Sequence, residues 1–543
     1  MTEKQTTGMM MADSLVAHGV DTIFGIAGAH MYDFNDALYG VRHRLRFVHT
    51  RHEQGAGYMA YGYAKSTGKV GVYTVVPGPG VLNSGAALCT AYGANAPVLC
   101  VTGNVMSDLI GRGRGQLHEL PDQLGLLRGL TKSAERINHP SEVSTVMARA
   151  FTRMTSGRQG PASVEAPWDV FGQKAVPTTL EIGQAEPAPI ADPDAIDAAV
   201  ALIKAARRPL IMVGGGAVEA STEISELARL LQAPATAHRS GKGILADDDP
   251  YALNMVAAFE YWKDVDLLIG IGSRLELQHM RWRWLPAGLK TIRIDIDPIE
   301  FVRLKPTVSV VADAAAGTRA LIDALHDFGA QDDRRDELAG LRTRAAATLE
   351  GLQPQISYLQ AIRDVLPRDG FLVEEVSQMG FSARLGFPVY QPRSYVTCGY
   401  QDNLGFGYDT ALGVKVANPD KAVVSITGDG GFLFGMQEMA TAIHHGINVV
   451  VIVFNNNSYG NVLRDQRMNY QGRTISAELT NPDFVKLGES FGMSSMRAAS
   501  PPELRKMLAR ALEMDAPCLI EVPVERGSER SPWPFIHPAP PAI

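Results

Sequence analysis

Two short runs of this sequence combine residue types able to hold a metal ion and an anion together. Gly428-Asp429-Gly430-Gly431 follows a β-branched run at 423–426, and Asn455-Asn456 follows a continuous apolar run at 449–454. Both runs read as strands of a parallel sheet buried on both faces. The segment between them carries Met436, Met439, Ala440 and Ile443 at helical spacing and stops at Gly446. In a right-handed strand–helix–strand unit the strands are parallel, so Asp429 and Asn456 fall at neighbouring carboxyl ends. That edge is where open α/β sheets bind ligands. A carboxylate and an amide carbonyl are hard oxygen donors suited to Mg²⁺ that also holds phosphate oxygens. The glycines permit close backbone approach, and the N–H groups opening the next helix suit an anion. Taken alone, Gly428-Asp429-Gly430 is equally consistent with a tight turn.

Strands alternate with helices through the rest of the chain. Strands are expected at 22–24, 46–49, 70–76 and 98–102, with helices at 9–17 and 54–65. A Pro- and Ala-rich linker at 171–192 precedes strands at 208–213, 267–271, 291–296 and 308–311. A charged stretch at 327–344 leads to strands at 371–376 and 395–398. The alternation implies an α/β class of doubly wound parallel sheets, and 543 residues suffice for about three domains.

Composition narrows the function classes. A net charge of −7 with no basic block gives no support for nucleic acid as a partner. No run of about 18 apolar residues predicts a membrane span, and the N-terminus lacks an apolar signal core. A soluble cytoplasmic protein is expected. Cys89, Cys100, Cys398 and Cys518 are scattered and read as buried thiols, and the 13 His show no clustered metal spacing.

Gly428-Asp429-Gly430 with Asn455-Asn456 and the trailing Tyr459-Gly460 resembles the signature of thiamine diphosphate enzymes. The likeness runs from Phe24-Gly25 to about Val524, and its last part is similar to acetolactate synthases. It implies a pyrimidine-binding domain (1–172), a middle domain (190–328) and a diphosphate-binding domain (352–530). It also implies that Asp429, the Asn456 side chain and the Ser458 carbonyl bind Mg²⁺. Gly428, Gly430, Gly431, Tyr459, Gly460 and the Ser377-Gln378 turn would border thiamine diphosphate, and Leu404 would form an apolar wedge under it. Glu53, at the mouth of a helix, would hydrogen-bond the aminopyrimidine and help the cofactor lose its reactive proton. Without the likeness, Glu53 is merely an acidic residue well placed at a helix start.

Two loop histidines are candidate catalytic groups. Gly28-Ala29-His30 resembles benzaldehyde lyase, and Leu117-His118-Glu119 stands where acetolactate synthases carry Phe-Gln-Glu. Both could donate to a developing alkoxide or carry protons. Arg112 and Arg114 could attract an anion, and Asp465 replaces a substrate-contacting Trp of acetolactate synthases. In the middle domain, segments 214–217, 240–243 and 272–274 match the pattern of members that hold FAD. The segment Asn254-Met255-Val256-Ala257-Ala258 departs from it, so FAD is disfavoured. The expected function is a Mg²⁺- and thiamine diphosphate-dependent carboligase or lyase acting on 2-oxo acids or 2-hydroxy ketones, acetolactate synthase-like. The alternatives are a benzaldehyde lyase-like acyloin lyase, a 2-oxo acid decarboxylase, a dione hydrolase or a non-catalytic paralogue. Partners are expected to be small carbonyl substrates and further copies of the chain. In a homodimer or homotetramer, Glu53 of one subunit would meet Asp429 of another. The Pro-rich tail from Ser531 is expected to form neither helix nor sheet.

Overall fold

The computed structural model describes residues 3–540. Three six-stranded sheets, every pairing in them parallel, form its three α/β domains. In the first domain the spatial order is Arg46–His49, Thr22–Gly25, Gly71–Val75, Val98–Asn104, Ala162–Pro167, Ser133–Arg136. The third domain repeats that topology with Tyr395–Val396, Phe371–Glu374, Val423–Gly428, Val450–Asn455, Cys518–Pro523 and Ser494–Arg497. In both, the winding direction reverses between the first and third strands of the chain, and ligands favour such a switch point. The middle domain, Pro209–Val213 through Val308–Val311, has its third, second and first strands followed by the fourth to sixth, the dinucleotide-binding order.

The first and third domains share one apolar core, to which Tyr58, Ala60 and Tyr61 contribute from one side and Phe406, Ala411 and Leu412 from the other. The Glu53–Thr67 and Gly407–Ala417 helices cross at its centre. A Cβ added to Gly62 would lie 2.2 Å from the Thr410 carbonyl oxygen, and one added to Gly413 would lie 2.0 Å from that of Met59. The two backbones therefore touch directly, and only hydrogen fits between them.

The structure corrects the sequence reading in three places. The expected helix before Gly446 is broken into Asp429–Phe432, a tight 3-10 turn at Met436–Glu438 and Met439–His445. The break aims Glu438 back at the first domain, where its carboxylate accepts the Arg51 N–H (3.0 Å) and His52 N–H (2.8 Å). The 171–192 linker contains Lys174–Ala175, which pairs antiparallel with Gln5–Thr6. The tail forms one helical turn, Trp533–Ile536, with its prolines in the first turn where no N–H is needed; it is held by Ile536 in the middle-domain core and by Trp533 against Phe381 at 5.2 Å.

Alanine at Gly62 or Gly413 would gain about 0.5–1 kcal/mol of helix propensity but must force the helices apart. Each substitution is expected to destabilise the protein by about 2 kcal/mol or more in denaturant unfolding. Gly129→Ala, in a helix with nothing within 4 Å of the added Cβ, is expected to be neutral or stabilising.

Candidate active site

Val423–Gly428 and Val450–Asn455 pair in parallel, with Gly428 opposite Phe454, so their following turns adjoin. Asp429 and Asn456 leave those strands buried, at 2% and 8% exposure, with Ser458 at 4%. The Ser458 N–H lies 3.2 Å from Asp429 Oδ2 and 3.0 Å from Asn456 Oδ1, so the two side-chain oxygens converge on one donor. The Ser458 hydroxyl also donates to Asn456 Oδ1 at 2.9 Å. Burial pushes the Asp429 carboxyl above its ordinary pKa, opposed by hydrogen bonds from Asn481 and nearby backbone N–H groups. A cation here would relieve that penalty.

The glycines do steric work. A Cβ on Gly430 would meet Tyr459 Cε1 at 2.4 Å, one on Gly431 the Glu375 carboxyl carbon at 2.9 Å, and one on Gly460 Asn456 Nδ2 at 2.9 Å. Gly428 is roomier, its added Cβ lying 3.3 Å from that of Ser377. Ser377 caps the Gln378–Gly386 helix, its hydroxyl accepting the Gly380 N–H at 3.0 Å. It stands across the switch point from Asp429. Gln378 accepts from Arg464 at 2.9 Å through Oε1, while its buried Nε2 has no partner. Asn481 gives Nδ2 to Asp429 at 2.7 Å and leaves Oδ1 unpartnered. An orphaned donor and an orphaned acceptor, beside convergent oxygens and a helix start, fit an anion held with a metal ion. Leu404 is half-buried in the turn before the Gly407–Ala417 helix.

Sequence reasoning missed Asn481 and Glu529. Asn456 Nδ2 donates to Glu529 Oε2 at 2.6 Å, which orients the amide so that its oxygen faces Asp429. Burial raises the Glu529 pKa, and the Asp429 charge adds to the effect. Asn481 opens the Asn481-Pro482-Asp483-Phe484 segment that resembles acetolactate synthases, but that likeness gave it no role; Glu529 belongs to no local motif, and the fold brings both to the site.

In the first domain, Glu53 is half-buried and opens the Glu53–Thr67 helix, where His52 caps the Gln54 N–H. Its Oε2 accepts from Asn83 Nδ2 at 3.0 Å, another partner invisible to motif reading. No hydrogen bond or ion pair joins Glu53 to Asp429 among the described residues of the single chain. His30 and His118, far apart in sequence, do meet: their rings lie 5.3 Å apart, and His30 stands edge-on to Trp168 at 4.7 Å. Both residues have left-handed backbones, φ 70° and 64°, a conformation that is uncommon outside glycine. Both Nδ1 atoms are buried without partners. Burial, then the neighbouring His118, lowers the His30 pKa. Arg112 and Arg114 are exposed, and Asp465 is exposed with Asn469 Nδ2 donating to it at 2.7 Å.

Comparison with known proteins places the chain in a family. Residues 5–126 match the N-terminal TPP binding domain of thiamine pyrophosphate enzymes, 196–321 their central domain and 375–522 their C-terminal TPP binding domain. A probable acetolactate synthase large subunit of Methanocaldococcus jannaschii is 33% identical over 94% of this chain and 90% of its own. The chain belongs to the thiamine diphosphate enzyme family. A probable 2-ketoarginine decarboxylase of Pseudomonas aeruginosa is 31% identical, covering 95% of this chain and 94% of its own. The acetolactate synthase large subunit of Haemophilus influenzae is 30% identical, covering 94% and 93%. This thiamine diphosphate enzyme is a carboligase by these likenesses. The acyloin-lyase, decarboxylase, hydrolase and non-catalytic alternatives are not favoured.

The His30–His118 contact has a measurable consequence. By histidine NMR, His30 is expected to titrate below the ordinary 6.5 of an imidazole. His118→Ala removes a like charge and should move the His30 midpoint upward. An unchanged midpoint would mean that the two rings are not electrostatically coupled.

Proposed function

We propose that the protein joins two 2-oxo acids, decarboxylating one and coupling the remainder to the carbonyl of the second, as the name acetolactate synthase denotes for its relatives. The observation that carries this reading is the convergence of Asp429 and Asn456 oxygens beside the orphaned Gln378 Nε2. In the proposal, Asp429, Asn456 and the Ser458 carbonyl hold Mg²⁺, which suits hard oxygen donors. Ser377, Gln378 and the glycines Gly428, Gly430, Gly431 and Gly460 border the diphosphate, Tyr459 walls its turn, and Leu404 supports the rings. Thiamine diphosphate, when bound, supplies the carbon nucleophile and the electron sink.

The chain's own groups manage protons and orientation. Asn83 holds Glu53 Oε2, leaving Oε1 to exchange a proton with the cofactor's pyrimidine nitrogen. The free Nδ1 atoms of His30 and His118 donate to the substrate oxygen as negative charge develops there. Glu53 is half-open to solvent in one chain, which supports an assembly in which a second copy completes the site. We read that assembly as a homodimer or a dimer of dimers.

Flavin has no part in this proposal. A Cβ on Gly214 would lie 2.5 Å from the Gly272 oxygen, and Cβ atoms on Gly215 and Gly216 would lie 3.1 Å from Ser240 Cβ and 3.0 Å from Gly272 Cα. The glycines thus serve packing of the three turns on one another. The cavity beside Val213, Lys242 and Asn254 measures about 10 Å³, room for about one water. A purified protein without flavin absorbance is the expected result.

The proposal is tested by supplying thiamine diphosphate, Mg²⁺ and pyruvate, benzoylformate, glyoxylate or benzoin in turn. Release of one CO₂ for every two 2-oxo acids consumed, with a coupled hydroxy acid as product, is expected. CO₂ with only a free aldehyde, or turnover of benzoin alone, would overturn it. Glu53→Gln should slow turnover at least ~100-fold and slow proton exchange at the cofactor's reactive carbon, with cofactor affinity retained. Asp429→Asn keeps the shape and removes the charge; it should weaken Mg²⁺-dependent cofactor binding at least ~10-fold in calorimetry.

A further inference from the structure

A second cluster of ligating side chains lies apart from the diphosphate site. The Arg46–His49 strand ends on His49, and the Met439–His445 helix ends on His444 and His445. The three rings converge across the contact of the first and third domains, with centroids 4.4 Å (His49–His444), 4.7 Å (His49–His445) and 4.7 Å (His444–His445) apart. One ring nitrogen from each lies within 4.8 Å of the others. His445 Nε2 accepts the His49 backbone N–H at 3.1 Å and lies 3.1 Å from His49 Nδ1. The sequence expectation of no clustered histidine spacing is corrected here, because the cluster unites positions 396 residues apart.

We propose that His49, His444 and His445 form a binding site for one divalent first-row transition metal ion of the zinc, cobalt or nickel class. Neutral imidazole is the ligand form such ions take, whereas Mg²⁺ prefers the oxygen set at Asp429 and Asn456. The surroundings favour neutral rings. Burial lowers the pKa of His49, aided by His444 and Arg51. Burial likewise pushes His445 down to about 4, aided by His49, His444 and Arg46. No carboxylate pairs with the three rings among the described residues. Zinc–nitrogen bonds of about 2.0–2.1 Å place tetrahedral ligand atoms about 3.3 Å apart, so the rings need to close by about 1.5 Å or less. Rotation about the side-chain bonds supplies this, and the His445–His49 backbone bond yields to the metal. His444 is exposed, which leaves a coordination position open to water.

The placement gives the ion a consequence. Thr50, Arg51 and His52 connect His49 to Glu53, and Glu438, just before the Met439–His445 helix, already holds the Arg51 and His52 N–H groups. A metal ion on the three rings therefore clamps the loop that presents Glu53 onto the third domain.

The test uses the full chain, stripped with a chelator and saturated with thiamine diphosphate and Mg²⁺. Equilibrium dialysis against micromolar Zn²⁺ should load one more ion per chain in the parent protein than in His444→Ala. Bound Co²⁺ should give a visible ligand-field spectrum that His444→Ala abolishes. His444 is exposed and makes no side-chain hydrogen bond among the described residues, so the metal-free variant should match the parent in circular dichroism and melting temperature. Zn²⁺ should raise the melting temperature of the parent only. Equal zinc loading of the two proteins, or no loading of either, would overturn the proposal.

Discussion

The direct backbone contact of two helices at Gly62 and Gly413 is the constraint on which the rest of the structure depends. With no side chain between them, the Glu53–Thr67 and Gly407–Ala417 helices approach more closely than any larger residue would allow. Their crossing lets one core serve two sheets. It also sets where the ends of both sheets lie, and therefore which loops can reach each other. The Glu438 carboxylate reaches the N–H groups of Arg51 and His52 only because the helices are so close. Gln54, next to Glu53, likewise donates to the Gly405 carbonyl of the other domain at 3.4 Å.

This closeness buries charge. Asp409, Glu375 and Glu438 lie in the shared interior, and burial raises the pKa of each. Glu375 is pushed up to about 7 even though the N–H groups of Gly405 and Gly407 donate to it at 2.8 and 2.7 Å. Neither oxygen of Asp409 has a partner, and burial together with the nearby Glu438 and Glu375 charges favours its neutral form. Carboxyl groups so placed oppose stability when ionised, and the apolar area of the common core offsets the cost. The middle domain is attached by a different means. Arg239 reaches from it to Asp402 at 2.6 Å, and Arg384 joins Asp402 to Glu374 within the third domain. The tail completes the arrangement, since Glu529 orients Asn456 and Trp533 donates to Asn461 at 2.6 Å.

Much of the candidate site is legible in the sequence because its signals are local. A strand end, a glycine turn and a helix start lie within a few residues, and their parallel pairing follows from chain handedness. Asp429 and Asn456 are candidates on those local signals, whereas Ser377 and Glu53 become candidates only through the likeness to thiamine diphosphate enzymes. Apolar spacing between Asp429 and Gly446 predicts a continuous helix, which the structure breaks. The break answers instead to packing within the third domain, against the Gly407–Ala417 helix: a Cβ on Gly435 would strike Asp409 Oδ1 at 2.3 Å. The helical turn in the Pro-rich tail escapes the sequence pattern for a related reason, since proline's effect depends on whether its missing N–H would have been used.

The sequence by itself determined the class of fold, the family and the side-chain oxygens gathered at one sheet edge. Each of these depends on patterns spanning one turn or one strand–helix–strand unit. Only the tertiary structure decided that Asn83 holds Glu53, that Glu529 bonds Asn456 and Asn481 bonds Asp429, that His30 meets His118, and that His49 joins His444 and His445. Those pairings join distant positions through the packing of whole domains. A contact of that kind leaves no periodicity or spacing in the chain, because its geometry is set by every element that lies between.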